Sequence, residues 1–389
     1  MSIRLSSSEH LSFGFTAVTR LVVGPGSIRQ LGGIARELGA TRALVTSDRG
    51  IIECGHTGAG IDSLREAGLA TEVFSAFTEN PSAAEVEAGT AVARAFRPDL
   101  LIGLGGGSSM DCAKGINFLY SCGGRMRDYR GRGTATGPML PSIAVPTTAG
   151  TGSETQSFAL ITDDETGMKM ACGDPRAAFR LAILDVNLTL TQPLSLAALT
   201  GIDALAHAVE SHVSTAATPA SRTFSREAWR LLAANLPHVV SGGGNIDARS
   251  AVQFGAALAG LAIENAMLGA AHALANPLTA AHHVVHGQAV GVMLPHVVRF
   301  NAAVCGSAYA DLLADVGISA TAADAGVTLA DWLTGLLAAA RLKTSLRGCG
   351  IEAPDIPALA AGAASQWTGG FNPRPVAATD LAAIYEAAR

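Results

Sequence analysis

The sequence predicts an α/β amino-terminal domain built on a parallel sheet, followed by an all-helical carboxy-terminal domain. Three observations carry this expectation. Short apolar runs alternate with helix-period segments through the first half, and strands that alternate with helices pair in parallel. Two of those runs end in glycine-rich loops. From about residue 190 the chain turns Ala/Leu-rich, with helical spacing and no convincing strand. The division falls at residues 1–189 and 190–389.

In chain order, residues 27–38 have a helical pattern and residues 42–46 (RALVT) form a short apolar strand. Residues 71–74 are a second strand. The turn Asn80-Pro81-Ser82 places Ser82 as the N-cap of a helix over residues 83–96. Residues 100–104 are continuously apolar and run into Gly105-Gly106-Gly107-Ser108-Ser109. A further strand over 142–145 ends in Pro146-Thr147-Thr148-Ala149-Gly150-Thr151-Gly152-Ser153. In the second half, helices are expected over 203–213, 221–235, 249–267 and 322–342.

The bulk numbers bound the function classes. The chain has 389 residues, 49% hydrophobic and 15% charged, which suits two well-packed domains. Its net charge is −5, with no block of like charges, which argues against nucleic-acid and anionic-membrane surfaces. Aromatic residues make up 5%, too few for a platform that stacks single strands. Six scattered cysteines without a CxxC pair read as a reduced, cytoplasmic set. The start of the chain, Met1 to Phe15, has Arg4 but no apolar run, so no signal peptide is expected. The most apolar stretch, residues 255–281, is interrupted by Glu264, Asn265, His272 and Asn276, and reads as buried helix rather than a membrane span.

The first glycine loop forms a strand–loop–helix unit, with Asp111 and Lys114 on the helix that follows. Glycines let backbone N–H groups approach an anion, and a helix N-terminus favours negative charge. A pyrophosphate is the natural guest. The loop is neither GxxxxGK[ST] nor GxGxxG, and a plain strand-to-helix turn is the alternative. The second loop offers the hydroxyls of Thr147, Thr148, Thr151 and Ser153 to a ribose, a base edge or a phosphate. Its alternative is an ordinary polar turn, but ligands collect where parallel strands end.

Asp203 and His207 stand four apart, so on a helix they share a face. His272 and His286 could complete an N3O shell around a divalent metal, with His282 and His283 as rivals to His286. The other histidines, His10, His56, His212, His238 and His296, have no special spacing. Three imidazoles and a carboxylate suit Zn(II) or Fe(II). Such an ion could polarise a carbonyl or acidify an alcohol, and a neighbouring nicotinamide could exchange hydride with that carbon.

Taken together, these motifs resemble the iron-containing (group III) alcohol dehydrogenase family over nearly the whole chain. Gly105-Gly-Gly-Ser-Ser-Met-Asp111-Cys-Ala-Lys114 looks like the family's GGGSxxDxAK loop, and Pro146-Thr-Thr-Ala-Gly-Thr-Gly-Ser-Glu154 like its PTTxGTGSE segment. Ile183-Leu-Asp185, Gly201-Ile-Asp203-Ala-Leu-Ala-His207-Ala-Val-Glu210, the run from Gly269 through His272 to His286-Gly287, and Asn372-Pro-Arg-Pro375 follow in order. The resemblance implies that the first is a dinucleotide-binding domain and the second a metal-binding domain, with a site in the cleft between them, NAD or NADP as cofactor, and one divalent metal on Asp203, His207, His272 and His286. It implies a small alcohol, aldehyde or ketone as substrate, and a homodimer or larger homo-oligomer.

Two departures from the family pattern matter. The usual HxxxH is His272-Ala-Leu-Ala-Asn276 here, and the missing second histidine is the one given to proton transfer or nicotinamide-ribose contacts. Asn276 hydrogen-bonds but does not titrate near neutrality. It is therefore expected to orient, while the proton leaves through water, His282 or His283. Many members place Asp directly after Val-Thr to accept from the adenosine ribose, whereas here Ser47 precedes Asp48. A carboxylate repels a 2′-phosphate and a serine tolerates one, so NAD is favoured over NADP with the register open. A maleylacetate-reductase-like enzyme is the rival within the class, with Arg125, Arg127 and Arg130 as its basic candidates. A dehydroquinate-synthase-like lyase and a non-catalytic binding relic are rivals of other classes.

Overall fold

The computed structural model describes residues 12–242 and 245–389. His10, and with it most of the stretch read for a signal peptide, lies outside the described residues. The first half contains β1 (Arg20–Val23), α1 (Leu31–Glu37), β2 (Arg42–Thr46), α2 (Arg49–Glu53), α3 (His56–Glu66), β3 (Ala70–Phe74), α4 (Ala83–Phe96), β4 (Leu100–Gly105) and α5 (Gly107–Cys122). It continues with β5 (Gly131–Arg132), β6 (Ser142–Pro146), β7 (Phe158–Thr162), β8 (Lys169–Gly173) and β9 (Leu181–Leu184).

Six strands form one sheet in the order β1-β9-β6-β4-β2-β3, and every neighbouring pair is parallel. All residues of β4, β6 and β9 are buried, as expected when helices cover both faces of a parallel sheet. Leu31, Val45, Leu64, Ile102 and Ile183 pack on one face; Leu44, Val86, Leu101 and Ile116 pack on the other. The chain passes from β2 outward to β3, then crosses back to β4 on the far side of β2. This reversal opens a crevice at the carboxyl ends of β2 and β4, where such sheets bind ligands. β7 and β8 pair antiparallel, with β5 beside β8, in a separate three-stranded sheet. At the sheet's other edge, the buried Asp185 accepts hydrogen bonds from the N–H groups of Gly26 (2.8 Å) and Ile28 (3.1 Å). It thus staples the end of β9 to the segment leaving β1.

The second half is helical: α6 (Leu194–Val213), α7 (Pro219–Val240), α8 (Ile246–Ala266), α9 (Ala270–His282), α10 (His286–Asp315), α11 (Ala325–Ala339), α12 (Ile356–Ala364) and α13 (Ala378–Ala388). No strand follows β9 among the described residues. Trp229, Leu274, Met293, Leu333 and Tyr385 belong to one continuous core. The apolar stretch 255–281 is divided between α8 and α9, which bend by 105° at their junction. α10 is long and apolar enough to cross a membrane by length and composition, and 67% of its apolar window is packed inside the protein.

The expected strand over 42–46 and helix over 83–96 are present with those bounds. β1, β5, β7, β8 and β9 were not expected. β9 is only Leu-Ala-Ile-Leu, a run too short and too helix-compatible for periodicity to assign. The helix expected over 27–38 is a 3-10 turn, Ser27–Gln30, followed by α1. Gly32 in α1 allows a backbone contact, since a Cβ there would lie 2.0 Å from the Ser63 carbonyl oxygen. α6 begins nine residues before the expected start, right after Pro193. Its Gly201 lets Leu236 of α7 sit where a Cβ would be, 2.3 Å away.

Ser82 caps α4 in a full capping box: its hydroxyl accepts from Glu85 N–H (3.3 Å), and Glu85 accepts from Ser82 N–H (2.8 Å). Ser82→Ala should cost about 1 kcal/mol of unfolding free energy, read as a lower denaturant midpoint at unchanged slope. An unshifted midpoint would count against the cap.

Candidate active site

Four side chains from three helices converge where α6, α9 and α10 meet. Asp203 and His207 lie one turn apart on α6, His272 lies in the first turn of α9, and His286 opens α10. The Nε2 atoms of His272, His207 and His286 stand 3.3, 3.5 and 3.7 Å from Asp203 Oδ1. Donor atoms of Asp203, His207 and His272 all lie within 4.8 Å of one another. Yet Asp203 Oδ1 and His272 Nε2 are buried without a hydrogen-bond partner among the described residues. Buried polar atoms are rarely left so. A tetrahedral ion about 2.1 Å from each donor would space the donors about 3.4 Å apart, so the donor set fits a divalent metal.

The electrostatics agree with the geometry. Burial disfavours charge on Asp203, but the facing imidazoles hold its carboxyl well below the usual carboxylate range. Burial pushes His207 and His286 down, toward the neutral imidazole a metal requires. Burial also opposes a proton on His272, yet Glu210 and Asp203 together raise it to about 9. The cluster as a whole draws positive charge to its centre.

Glu210 orients the shell from behind. It lies on α6 and accepts from His272 Nδ1 (2.5 Å) and from Ala271 N–H (2.7 Å). A carboxylate on Nδ1 fixes the tautomer and turns the Nε2 lone pair toward the metal. The sequence reading passed through Glu210 in its motif without giving it a role. The signal was available: a glutamate three residues after His207, within the same helical run.

The expected cofactor residues gather at the β2/β4 crevice. Ser47 is fully buried, its hydroxyl paired with that of Thr57 at 2.7 Å. Asp48 is half-buried; one oxygen caps α2 at Ile51 N–H (3.2 Å) and the other accepts from Ser109 Oγ (3.3 Å). The carboxylate at the crevice is therefore Asp48, and Ser47 faces inward. Gly105 has a φ of +150°, and a Cβ there would lie 2.3 Å from Ser109 Oγ. Gly106 and Gly107 lead into α5 beside Thr148 and Thr151. Ser108 Oγ accepts from Asn80 N–H. The Thr147 and Thr148 hydroxyls are buried without a partner among the described residues, and so remain available to a ligand.

Asp111, Lys114 and Ser153 instead knot the two loops together. Lys114 Nζ donates to Ser153 O, Ser153 Oγ and Phe158 O at 2.7–3.0 Å. Ser153 Oγ donates to Asp111 at 2.7 Å. Burial pulls Lys114 down to about 8. These three residues hold the shape of the cradle, and all three ammonium protons are engaged within the protein.

The second loop also ties the crevice to the metal helix. A Cβ on Gly107 would lie 2.9 Å from Thr151, and one on Gly150 would lie 2.3 Å from the Thr200 carbonyl oxygen. The loop thus touches the start of α5 on one side and α6, three residues before Asp203, on the other.

Asn276 lies one turn after His272 on α9, and its Nδ2 donates to Gln366 Oε1 at 2.9 Å. His282 is half-buried at the last position of α9, and the exposed His283 caps that helix with a φ of 55°. Neither has a hydrogen bond to the four-residue cluster. Lys169 on β8 is half-buried; burial lowers its pKa against the pull of Asp111, Asp203 and Glu79. The sequence reading missed Lys169 because it missed β8, and missed Gln366 because its partner is 90 residues away.

Residues 18–186 match the family profile described as iron-containing alcohol dehydrogenase, and residues 197–389 match the profile described as Fe-containing alcohol dehydrogenase family, C-terminal. The chain belongs to the iron-containing alcohol dehydrogenase family. Among members of this family, it is 35% identical to 1,3-propanediol dehydrogenase of Klebsiella pneumoniae, over 94% of this chain and 96% of the relative. It is 36% identical to NAD-dependent methanol dehydrogenase of Bacillus methanolicus, over 72% of this chain and 74% of the relative. A solved structure of 1,3-propanediol oxidoreductase superposes with a TM-score of 0.94 at 34% identity, covering 97% of this chain and all of the other.

Glu210→Gln puts an amide between two donors, His272 Nδ1–H and Ala271 N–H, so one of the two bonds must fail. Metal affinity should fall roughly 10–100-fold in a chelator competition. Unchanged affinity would remove Glu210 from the site.

Proposed function

We propose that this chain is a metal-dependent, NAD-using alcohol dehydrogenase or aldehyde reductase acting on a small alcohol or carbonyl compound. The observation that carries the reading is the convergence of three imidazoles on an unpartnered Asp203 oxygen, joined by one loop to a dinucleotide-type crevice. The names of the relatives, a 1,3-propanediol dehydrogenase and an NAD-dependent methanol dehydrogenase, point the same way.

Asp203, His207, His272 and His286 would hold Fe(II) or Zn(II), both of which accept this donor set. When bound, the metal supplies Lewis acidity toward a substrate oxygen, and the nicotinamide supplies the hydride carrier. The chain's own residues do the rest. Asp48 accepts from ribose hydroxyls, and its charge disfavours a 2′-phosphate. The N–H groups of Gly106 and Gly107, at the head of α5, suit a pyrophosphate. The Thr147 and Thr148 hydroxyls donate into the same crevice. Asn276, held by Gln366, presents its remaining amide atoms as fixed hydrogen-bonding groups one turn from His272. It cannot take a proton, so protons leave through water or through His282 and His283 at the end of α9.

An acidic substrate of the maleylacetate kind loses its basic cluster. Arg127 is engaged with Asp163 and Glu165 at 2.7 Å each, and Arg125 and Arg130 are exposed on the same turn. The lyase reading is separated by cofactor balance. Metal-loaded protein given NAD and small alcohols, or NADH and aldehydes, should change nicotinamide absorbance in proportion to product. Product formed with no net change in absorbance would favour the lyase, and neither signal with tight metal binding would favour a relic.

Asn276→His restores a titratable group beside His272. Its pH–rate profile should gain a limb near the histidine range that wild type lacks. Superimposable profiles would show that this position does not handle the proton.

A further inference from the structure

The helix that presents His272 has no cap of its own. Gly269 occupies the N-cap of α9 and offers no side chain, so the first N–H groups of the helix need acceptors from elsewhere. Ala271 N–H goes to Glu210. Ala270 N–H goes to Asn372 Oδ1 at 3.3 Å, across 102 residues of chain. Asn372 is 4% exposed and lies in the segment after α12, far from the metal helices in sequence.

Asn372 is itself locked. Its Nδ2 donates to Arg374 O (2.6 Å) and to Asn301 Oδ1 (2.8 Å), and its Oδ1 accepts from Asn301 Nδ2 (3.0 Å). Ala270 N–H can only donate and Arg374 O can only accept, so the Asn372 amide has one permitted orientation. Asn301 is 2% exposed and belongs to α10, the helix that begins with His286. A narrow cavity lined by Glu210, Gly269, Asn301, Tyr309 and Asn372 lies at this junction. A Cβ on Gly269 would stand 2.9 Å from Glu210 Oε1 and 3.2 Å from Asn372 Oδ1, so a glycine is what lets both acceptors reach the helix end.

We propose that the buried Asn301–Asn372 pair is a positioning element for the metal centre: it caps α9 from the carboxy-terminal segment and so sets where His272 sits relative to Asp203, His207 and His286. Two acceptors share the work. Glu210 fixes the ring and its tautomer, and Asn372 fixes the helix end that carries the ring. A ligand held this way loses less freedom when the ion binds, so the clamp raises metal affinity rather than only fold stability. Loss of an outer contact that orients a metal ligand typically costs about 10–100-fold in metal affinity.

This inference rests on the metal assignment of the preceding section, and the test separates the two. Metal-free protein is titrated with Zn(II) against a chelator, its melting temperature is measured without metal, and its Co(II) absorption spectrum is recorded. The variants are Asn372→Ala, the isosteric Asn372→Asp, His272→Ala, and Asn117→Ala as a comparison. Asn117 is an equally buried asparagine on α5 that bonds the Leu140 backbone, away from the metal helices.

Asn372→Ala should weaken Zn(II) binding roughly tenfold or more and change the Co(II) spectrum. Asn372→Asp keeps the acceptor for Ala270 but sets an oxygen against Arg374 O and Asn301 Oδ1. It should weaken binding as well, and it carries the test if the alanine variant does not fold. Asn117→Ala should lower the metal-free melting temperature while leaving Zn(II) affinity within about twofold. The proposal is overturned if the Asn372 variants lose stability as Asn117→Ala does but keep wild-type metal affinity and spectrum. If wild type binds no Zn(II), or His272→Ala binds it as tightly as wild type, the metal assignment itself falls, and the inference with it.

Discussion

The pinch of residues 147–153 between α5 and α6 is the constraint on which the rest of the site depends. Gly107 meets Thr151 on one side and Gly150 meets the Thr200 backbone on the other, each at a distance a Cβ would forbid. Close-packed backbones leave little slack. The end of β4 and the Asp203/His207 helix are therefore held at a nearly fixed separation by one short loop. Lys114, with two acceptors on Ser153 at the far end of that loop and a third on Phe158 beyond it, keeps it from sliding. A dinucleotide laid along the crevice would run toward the proposed metal site, because this loop touches α6 three residues before Asp203.

Much of this was legible in the sequence, for reasons that differ by element. The strand at 42–46, the strand into Gly105 and the capped helix at 83–96 each combine a period with a punctuation mark, and both signals agree. The four-residue cluster was legible because Asp203 and His207 lie one helical turn apart and the family pattern supplied the two distant histidines. The two loops were legible as glycine–hydroxyl runs after strands. Their inner division of labour was not: nothing in the sequence distinguishes Thr148, whose hydroxyl has no partner among the described residues, from Ser153, whose hydroxyl holds Asp111.

What the sequence concealed is mostly long-range pairing. β1, β7, β8 and β9 are short, and they pair with strands far along the chain or across a turn. The Ser47/Asp48 ambiguity could not be resolved by spacing, because it turns on which of the two side chains finds Thr57 behind the sheet. Gln366 and Asn372 act on α9 from the carboxy-terminal segment. Their importance comes from what they touch, not from any local pattern.

The staple between Asp185 and the segment after β1 bears on how the chain assembles. β1 is an edge strand whose one neighbour is β9, and the Gly26–Asp185 bond spans 159 residues. As the chain leaves the ribosome from its amino end, β1 emerges early and stays without a partner until β9 has followed it. By then β2, β3, β4 and β6 have all been synthesised, so β1 waits longest of the sheet's strands for its neighbour. Pairings that wait on such long loops are slow and leave strand edges open meanwhile. The charged Arg20 at the head of β1 and the shortness of that strand are the features that keep a waiting edge from pairing with another chain.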